Sequence, residues 1–110
     1  MKKEYKISFD HIKWLHTKTG VEEKVIFFNN QKLRLLKFHK GFEEKDWCSK
    51  GHFGCVLEGS LSIIFKKQKI SFSKGDLICI DAGENSRHKV FLKKSELAIL
   101  FLIENLPNCE

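Results

Sequence analysis

Short apolar segments recur along the whole chain, and many of them alternate apolar with polar positions. Turn-forming residues separate these segments at intervals of about ten residues. The turn signals are Thr19-Gly20, Asn29-Asn30, Lys40-Gly41, Lys50-Gly51, Glu58-Gly59, Ser73-Lys74-Gly75 and Ala82-Gly83. This spacing is typical of antiparallel strands in a barrel or sandwich. The pattern therefore predicts an all-β fold with little helix.

The predicted strands can be assigned one by one. They cover 24–29, 31–40, 53–57, 60–66, 69–73, 76–80, 88–92 and 97–104. A hairpin is expected around Lys67-Gln68, and a turn at Glu58-Gly59 is expected to end the strand before it. The segment 76–80 is a nearly continuous apolar run, which favours a strand buried on both faces. Only 10–17, with Asp10 as a possible cap, indicates a helix.

Length and composition limit the class of protein. A chain of 110 residues predicts one domain, and its 42% hydrophobic content can supply a core. The longest uninterrupted apolar run, 97–103, is far shorter than the about 20 residues that a membrane helix needs. No apolar stretch follows the first lysines, so no secretory signal is expected. We therefore expect a cytoplasmic protein that has no membrane partner.

The net charge of +6 invites the question of nucleic-acid binding. Lysine accounts for nearly all of the cations, scattered singly or in pairs, and the only arginines are Arg34 and Arg87. Few side chains can therefore make bidentate contacts to phosphate or bases, and no basic block is present. The charge pattern indicates a lysine-rich surface and no nucleic-acid partner.

The four cysteines are Cys48, Cys55, Cys79 and Cys109, and no two of them form a CxxC pair. This spacing disfavours zinc ribbons, thioredoxin-type sites and iron–sulfur clusters. Free thiols are expected in a cytoplasmic chain. Cys55 and Cys79 are expected to be packing residues, and Cys109 to be inert in a tail.

Two stretches, 46–59 and 75–88, carry the most information. The first ends in Val56-Leu57-Glu58-Gly59; the second begins with Gly75-Asp76 and continues as an apolar run to Ile80. In order and spacing they resemble the two motifs of the cupin superfamily. The resemblance implies an antiparallel β-barrel, the double-stranded β-helix or jelly roll, over 33–103. The whole chain, 1–110, would be a single cupin domain, with 1–30 as an extension containing extra strands or a short helix.

The resemblance also implies a metal site. The positions of the family's ligands correspond to Asp46, Cys48, His52 and His88, with the loop before His88 two residues longer than usual. Imidazole and thiolate ligands suit a divalent transition metal such as zinc, iron or nickel. As a purely structural alternative, these cysteine and histidine side chains would simply be buried and hydrogen-bonded.

Neighbouring positions indicate a ligand pocket. Asp46 and Cys48 would alternate on one face before the Lys50-Gly51 turn; after the turn, Gly54 and Val56 share the face of His52, and Gly54 leaves space for a ligand. Arg87, or a lysine at the barrel mouth, would pair with an anionic group of that ligand. Trp47 would point away from the pocket and form a homodimer contact. His39 ends its predicted strand and is expected at the surface.

Two functions remain open. The first is a divalent metal site in the barrel mouth that binds or acts on a small organic molecule; the resemblance makes oxygenation or isomerisation of a small acid the most available chemistries. The second is a metal-free cupin that serves as a ligand-binding or regulatory module. Fold alone does not choose between them, and no catalytic residue is assigned.

Overall fold

The computed structural model describes residues 5–105, and strands make up most of this part of the chain. The strands are β1 Leu15–Lys18, β2 Val21–Phe28, β3 Gln31–Phe38, β4 His52–Phe65, β5 Lys69–Ser73, β6 Leu77–Ile80, β7 His88–Phe91 and β8 Ala98–Asn105. Two 3₁₀ helices, Phe9–His11 and Glu84–Ser86, are the only helices in the described part. Neither of them is long and apolar enough to cross a membrane. The predicted all-β fold is confirmed.

The strands form one curled antiparallel sheet organised around β4. The order is β1-β2-β3-β8-β4-β5, and β6 and β7 also pair with β4. The first half of β4 pairs with β6 and β8, and its second half pairs with β5 and β7. One long strand therefore belongs to both halves of the barrel and bends the sheet around a common interior.

Strand β4 corrects the predicted turn at Glu58-Gly59. The two residues lie inside one continuous strand of 14 residues, where the register with β8 shifts between Val56 and Glu58. Gly59 has φ of 75°, and a Cβ there would lie 1.8 Å from the Leu97 carbonyl oxygen. The glycine marks a bulge that bends the strand, because only glycine fits this conformation and this close approach.

The N-terminal segment also differs from its prediction. Instead of a helix over 10–17, the chain forms the single turn Phe9–His11 and then strand β1, which pairs with β2. Tertiary contacts determine this outcome: the Phe9 ring meets Phe101 edge-on at 6.3 Å, and the Lys24 ammonium donates to the Phe9 carbonyl at 2.7 Å. Strand pairing and these contacts outweigh a weak local helix preference.

The β2–β3 hairpin fixes the register of the inner face. Asn29 and Asn30 have φ of 48° and 61°, as a two-residue hairpin turn requires, so this predicted turn is confirmed. Residues directly opposite each other in the ladder share a face, and the inward ones form the core. The buried apolar residues are Val21, Leu36, Phe38, Val56, Leu61, Ile63, Ile78, Ile80, Val90, Leu92, Ala98, Leu100 and Leu102.

Strand β6 is buried on one face only, which corrects the expectation for 76–80. Ile78 and Ile80 are buried, whereas Leu77 is 64% exposed and Cys79 is also exposed. Cys79 is therefore not a packing residue, because no described element covers this side of β6. Cys55 is half-buried, and Cys109 lies outside the described residues.

Candidate functional site

A cavity of about 330 Å³ lies inside the barrel. Its apolar wall comes from the inward residues of six strands: Val21, Leu36, Phe38, Ile63, Ile78, Ile80, Val90, Leu100 and Leu102. Polar side chains line the remainder: Thr17, Lys18, Glu23, Arg34, Glu44, Cys48, Lys50, His52 and His88. A polar cluster is thus held against an apolar surface, as in many small-molecule sites.

Three of the predicted ligand residues, Cys48, His52 and His88, come together at this cavity. The backbones of Cys48 and His88 are joined by a β-bridge, with N–O distances of 2.9 and 3.0 Å. His52 begins β4 and His88 begins β7, so both rings lie where their strands enter the barrel. One donor atom from each of the three residues lies within 4.8 Å of the other two.

His88 presents an unpaired ring nitrogen. The residue is 2% exposed, and its Nδ1 donates to the Ser86 carbonyl at 2.9 Å. This hydrogen bond assigns the proton to Nδ1 and leaves a lone pair on Nε2, which is buried and has no partner. Burial lowers the pKa of His88, so the neutral ring that a metal requires is favoured.

The ring of His52 is oriented by two contacts, so that its Nε2 lies on the side of Cys48. Its Nδ1 lies 3.0 Å from a Glu104 oxygen, and its Nε2 lies 3.9 Å from the Cys48 sulfur. The hydrogen bond from His52, together with the nearby guanidinium of Arg34, lowers the pKa of Glu104 to about 2 against the opposing effect of burial. The carboxylate, which is ionised at neutral pH, contacts Nδ1 and leaves Nε2 facing Cys48, the usual arrangement behind a metal-bound histidine.

Arg34 connects this carboxylate to a second one. Its guanidinium bonds Glu23 at 2.8 Å and Glu104 at 2.9 Å. The three residues lie on neighbouring strands β2, β3 and β8, at inward positions that alternate with core residues. Sequence reasoning overlooked this network. The sequence feature that could have revealed it is that each of the three charged residues lies two positions from a buried apolar residue of its own strand.

Asp46 does not join the other three predicted ligands. It is exposed, and it lines a separate depression together with Lys18 and Lys45. The prediction assumed that 46–48 alternates as a strand, but the only backbone pairing of this segment is the isolated bridge between Cys48 and His88. Alternation therefore does not apply to it, and the carboxylate faces solvent.

The predicted pocket residues Gly54 and Val56 share the inward face of His52 but do not line the cavity. Val56 is 2% exposed and belongs to the core. A Cβ on Gly54 would lie 1.8 Å from the Phe101 carbonyl oxygen, so this glycine permits the close approach of β4 and β8. Gly54 provides space for a neighbouring strand, not for a ligand.

Arg87 also lies outside the cavity lining. Its guanidinium stacks over the Trp47 ring at 5.0 Å, and the Lys89 ammonium lies 4.8 Å from the same ring. Trp47 is 41% exposed. His39 is at the surface, as expected, and pairs with Glu22 at 2.6 Å. The cations that do line the cavity are Arg34, Lys18 and Lys50.

No family model and no curated protein matches the chain at the level of sequence. Solved structures do match. A cupin-2 domain protein from Shewanella frigidimarina is 28% identical, covers 76% of this chain and 78% of its own, and has a TM-score of 0.63. The chain has the fold of a small cupin.

Two more distant structures share this cupin fold over nearly the whole chain. The polyketide cyclase RemF from Streptomyces resistomycificus is 12% identical with a TM-score of 0.79, covering 98% of this chain and 89% of its own. A cupin-superfamily sugar phosphate isomerase from Silicibacter pomeroyi is 14% identical with a TM-score of 0.76. The match covers 93% of this chain and 76% of the isomerase chain. At such identities the likeness shows the fold alone, so the function must be argued from the site.

Proposed function

We propose that this cupin holds a divalent transition metal on Cys48, His52 and His88 and uses the adjoining cavity to bind or act on a small organic molecule. One observation carries the proposal: three donor atoms lie within 4.8 Å of one another, and one of them, His88 Nε2, is buried without a partner. An unpaired buried nitrogen costs about 1–3 kcal/mol, and a bound ion would remove that cost.

The donor set fits such a metal. One thiolate and two imidazoles suit zinc, iron(II) or nickel, whereas magnesium and calcium prefer oxygen ligands. The Nδ1 atoms of His52 and His88 are both occupied by protein acceptors, so each ring offers Nε2. A thiolate ligand also requires reduced cysteine, which supports the cytoplasm as the setting.

The remaining residues define what the site does with a ligand. The apolar wall offers contact area to an organic ligand, and 330 Å³ is at the lower end of the range for small-molecule sites. Lys18 and Lys50 line the cavity and take over the role first assigned to Arg87, pairing with an anionic group of the ligand. A divalent metal, when bound, would supply Lewis-acid chemistry to that ligand.

The alternative is a metal-free cupin that binds a small molecule without catalysis. It is favoured by the contact between the Cys48 sulfur and His52 Nε2 at 3.9 Å, which already gives two of the three donors a partner inside the protein. The cavity and its lysines would serve such a module equally well.

Metal content separates the two functions. The protein is purified without a polyhistidine tag, offered zinc, iron(II) or nickel, dialysed, and analysed by mass spectrometry for bound metal. We expect near-stoichiometric metal in the unmodified protein and little in Cys48→Ala or His88→Gln. Cys79→Ala and His16→Ala are matched controls, because both side chains are exposed and neither lines the cavity, and they should keep the metal.

A protein that keeps no metal after this treatment would refute the metal site and leave the binding module. Equal loss in Cys48→Ala and Cys79→Ala would point to non-specific thiol binding. Circular dichroism of each variant checks that the barrel has formed.

A further inference from the structure

Cys48 is the one of the three proposed ligands that no regular strand holds. His52 lies in β4, which pairs with β6 at that end, and His88 begins β7, which pairs with β4. Cys48 lies outside the named strands and is joined to the barrel backbone by its isolated bridge to His88. A single pair of hydrogen bonds opens more easily than the ladder of a regular strand. The position of the Cys48 sulfur therefore depends on what else holds its neighbours.

Trp47, the residue before Cys48, contacts β7 on the outside of the barrel. The Lys89 ammonium lies 4.8 Å from the centroid of the Trp47 ring, and the Arg87 guanidinium lies 5.0 Å from it. Lys89 follows the buried His88 in β7, so its side chain is on the outer face of the sheet. The two cations thus flank His88 in sequence, and both meet the ring that precedes Cys48.

We propose that Trp47, Arg87 and Lys89 form a clasp on the outer face that holds the Cys48 thiol at the donor cluster. The inference rests on the proposed metal site and assigns positioning residues to it. A cation over an aromatic ring is attracted by the negative face of the ring, and indole is the best aromatic partner. Two such contacts tie the segment of Cys48 to the strand of His88, and so keep two of the three donors together.

The charges around the ring favour this role. Among residues 5–105, no carboxylate forms an ion pair with Lys89. The carboxylate that reaches Arg87 belongs to Glu84, which is 3.9 Å away and has a side chain that is 78% exposed. An exposed ion pair at that distance contributes little. The Trp47 ring is therefore the principal partner of both cations.

Trp14 provides a matched control elsewhere in the barrel. The Lys24 and Lys37 ammonium groups lie 4.8 and 5.7 Å from the centroid of its ring, an arrangement similar to that at Trp47. Neither Trp14 nor either of these lysines lines the cavity. Removing the Trp14 ring should therefore disturb a similar pair of contacts without changing the donor cluster.

Alkylation of the metal-free protein tests the clasp directly. A small thiol reagent is added in the presence of a chelator, and the rate at each cysteine is followed by peptide mass spectrometry. We expect Cys48 to react about 10-fold faster in Trp47→Ala, which corresponds to the loss of two exposed cation–π contacts, and at an unchanged rate in Trp14→Ala. Trp47→Phe keeps an aromatic ring and should restore most of the protection. Cys79, which is already exposed, is the internal reference.

Zinc affinity gives the second measurement. In competition with a chromophoric chelator, Trp47→Ala should raise the dissociation constant of zinc by about 10-fold, while Trp47→Phe and Trp14→Ala should stay close to the unmodified protein. If circular dichroism shows that Trp47→Ala does not fold, the double variant Arg87→Gln/Lys89→Met removes the cations and leaves the ring. The same two changes are expected of it.

The two measurements separate the clasp from the proposed function. An unmodified protein that binds no zinc would refute the metal site, and the alkylation rates would still decide whether the clasp holds Cys48. Equal rates at Cys48 in Trp47→Ala and the unmodified protein would overturn the clasp. So would an equal acceleration in Trp14→Ala, or a protein that binds zinc as tightly after Trp47→Ala as before.

Discussion

Replacing Glu104 by glutamine tests the network behind His52. The substitution keeps the shape and an acceptor oxygen for His52 Nδ1 but removes the charge that His52 and Arg34 both contact. The pKa of Glu104 falls from 4.5 to about 2, first because of the hydrogen bond from His52. We therefore expect Glu104→Gln to lower the free energy of unfolding at neutral pH.

The size of the effect follows from the pKa. At about 1.4 kcal/mol per pKa unit, the change from 4.5 to about 2 sets a ceiling of about 3 kcal/mol. The side chain is 15% exposed, so solvent screens part of the interaction and we expect about 2 kcal/mol. Measured stabilities of 5–15 kcal/mol are typical of domains, so such a loss is easily resolved in urea.

The pH dependence has a definite sign. A carboxyl group whose pKa is depressed by folding contributes stability that is fully present above 4.5 and is lost as the pH falls towards 2. The difference between the unmodified protein and Glu104→Gln should therefore shrink from about 2 kcal/mol at pH 7 to about 1 kcal/mol or less at pH 3. Urea titrations with a chelator present, at both pH values, measure it.

The control is a similar pair at the surface. Glu22 and His39 contact each other at 2.6 Å, but the His39 side chain is 47% exposed. Glu22→Gln should cost less than about 1 kcal/mol, as exposed ion pairs usually do. The reasoning is refuted if Glu104→Gln is as stable as the unmodified protein, if its deficit does not shrink in acid, or if Glu22→Gln loses as much.

Three further predictions concern the same barrel. Glu104→Gln should weaken zinc binding by about 10- to 100-fold, measured by competition with a chromophoric chelator, while Glu22→Gln should not. Gly54→Ala should prevent folding or cost more than about 4 kcal/mol in urea, because the new Cβ would meet backbone atoms of Phe101; Gly75→Ala, with nothing within 4 Å, should cost about 1–3 kcal/mol from its φ alone. Zinc should protect Cys48 but not Cys79 from alkylation.

The fold could be predicted because its signals are local. Turn residues such as Asn29-Asn30 and the strand periods between them require no knowledge of distant contacts. The errors arose where a distant strand decided the outcome. Gly59 looks like a turn residue, yet it bends a continuous strand that passes over Leu97. Residues 15–18, which overlap the expected helix, pair with β2 because an edge of the sheet is available to them.

The candidate site was predicted only in part, because some of its residues depend on contacts with distant strands. Cys48, His52 and His88 were found through motif positions, whereas Asp46 depended on a strand that does not form there. Gly54 shows the limit of reasoning from one strand. A missing side chain on an inward face can make room for a ligand or for a neighbouring backbone, and only the position of Phe101 decides between them.

The charged network of Glu23, Arg34 and Glu104 can be recognised only when adjacent strands are considered together. Glu23, Arg34 and Glu104 each look like an ordinary surface residue in sequence. Each is two positions from a buried residue of its own strand, so strand geometry alone turns it inward. Because β2, β3 and β8 are adjacent, three inward charges meet, and each of the two carboxylates is paired with the guanidinium between them. Charged residues in phase with the core on adjacent strands therefore predict a polar site, even where no motif is present.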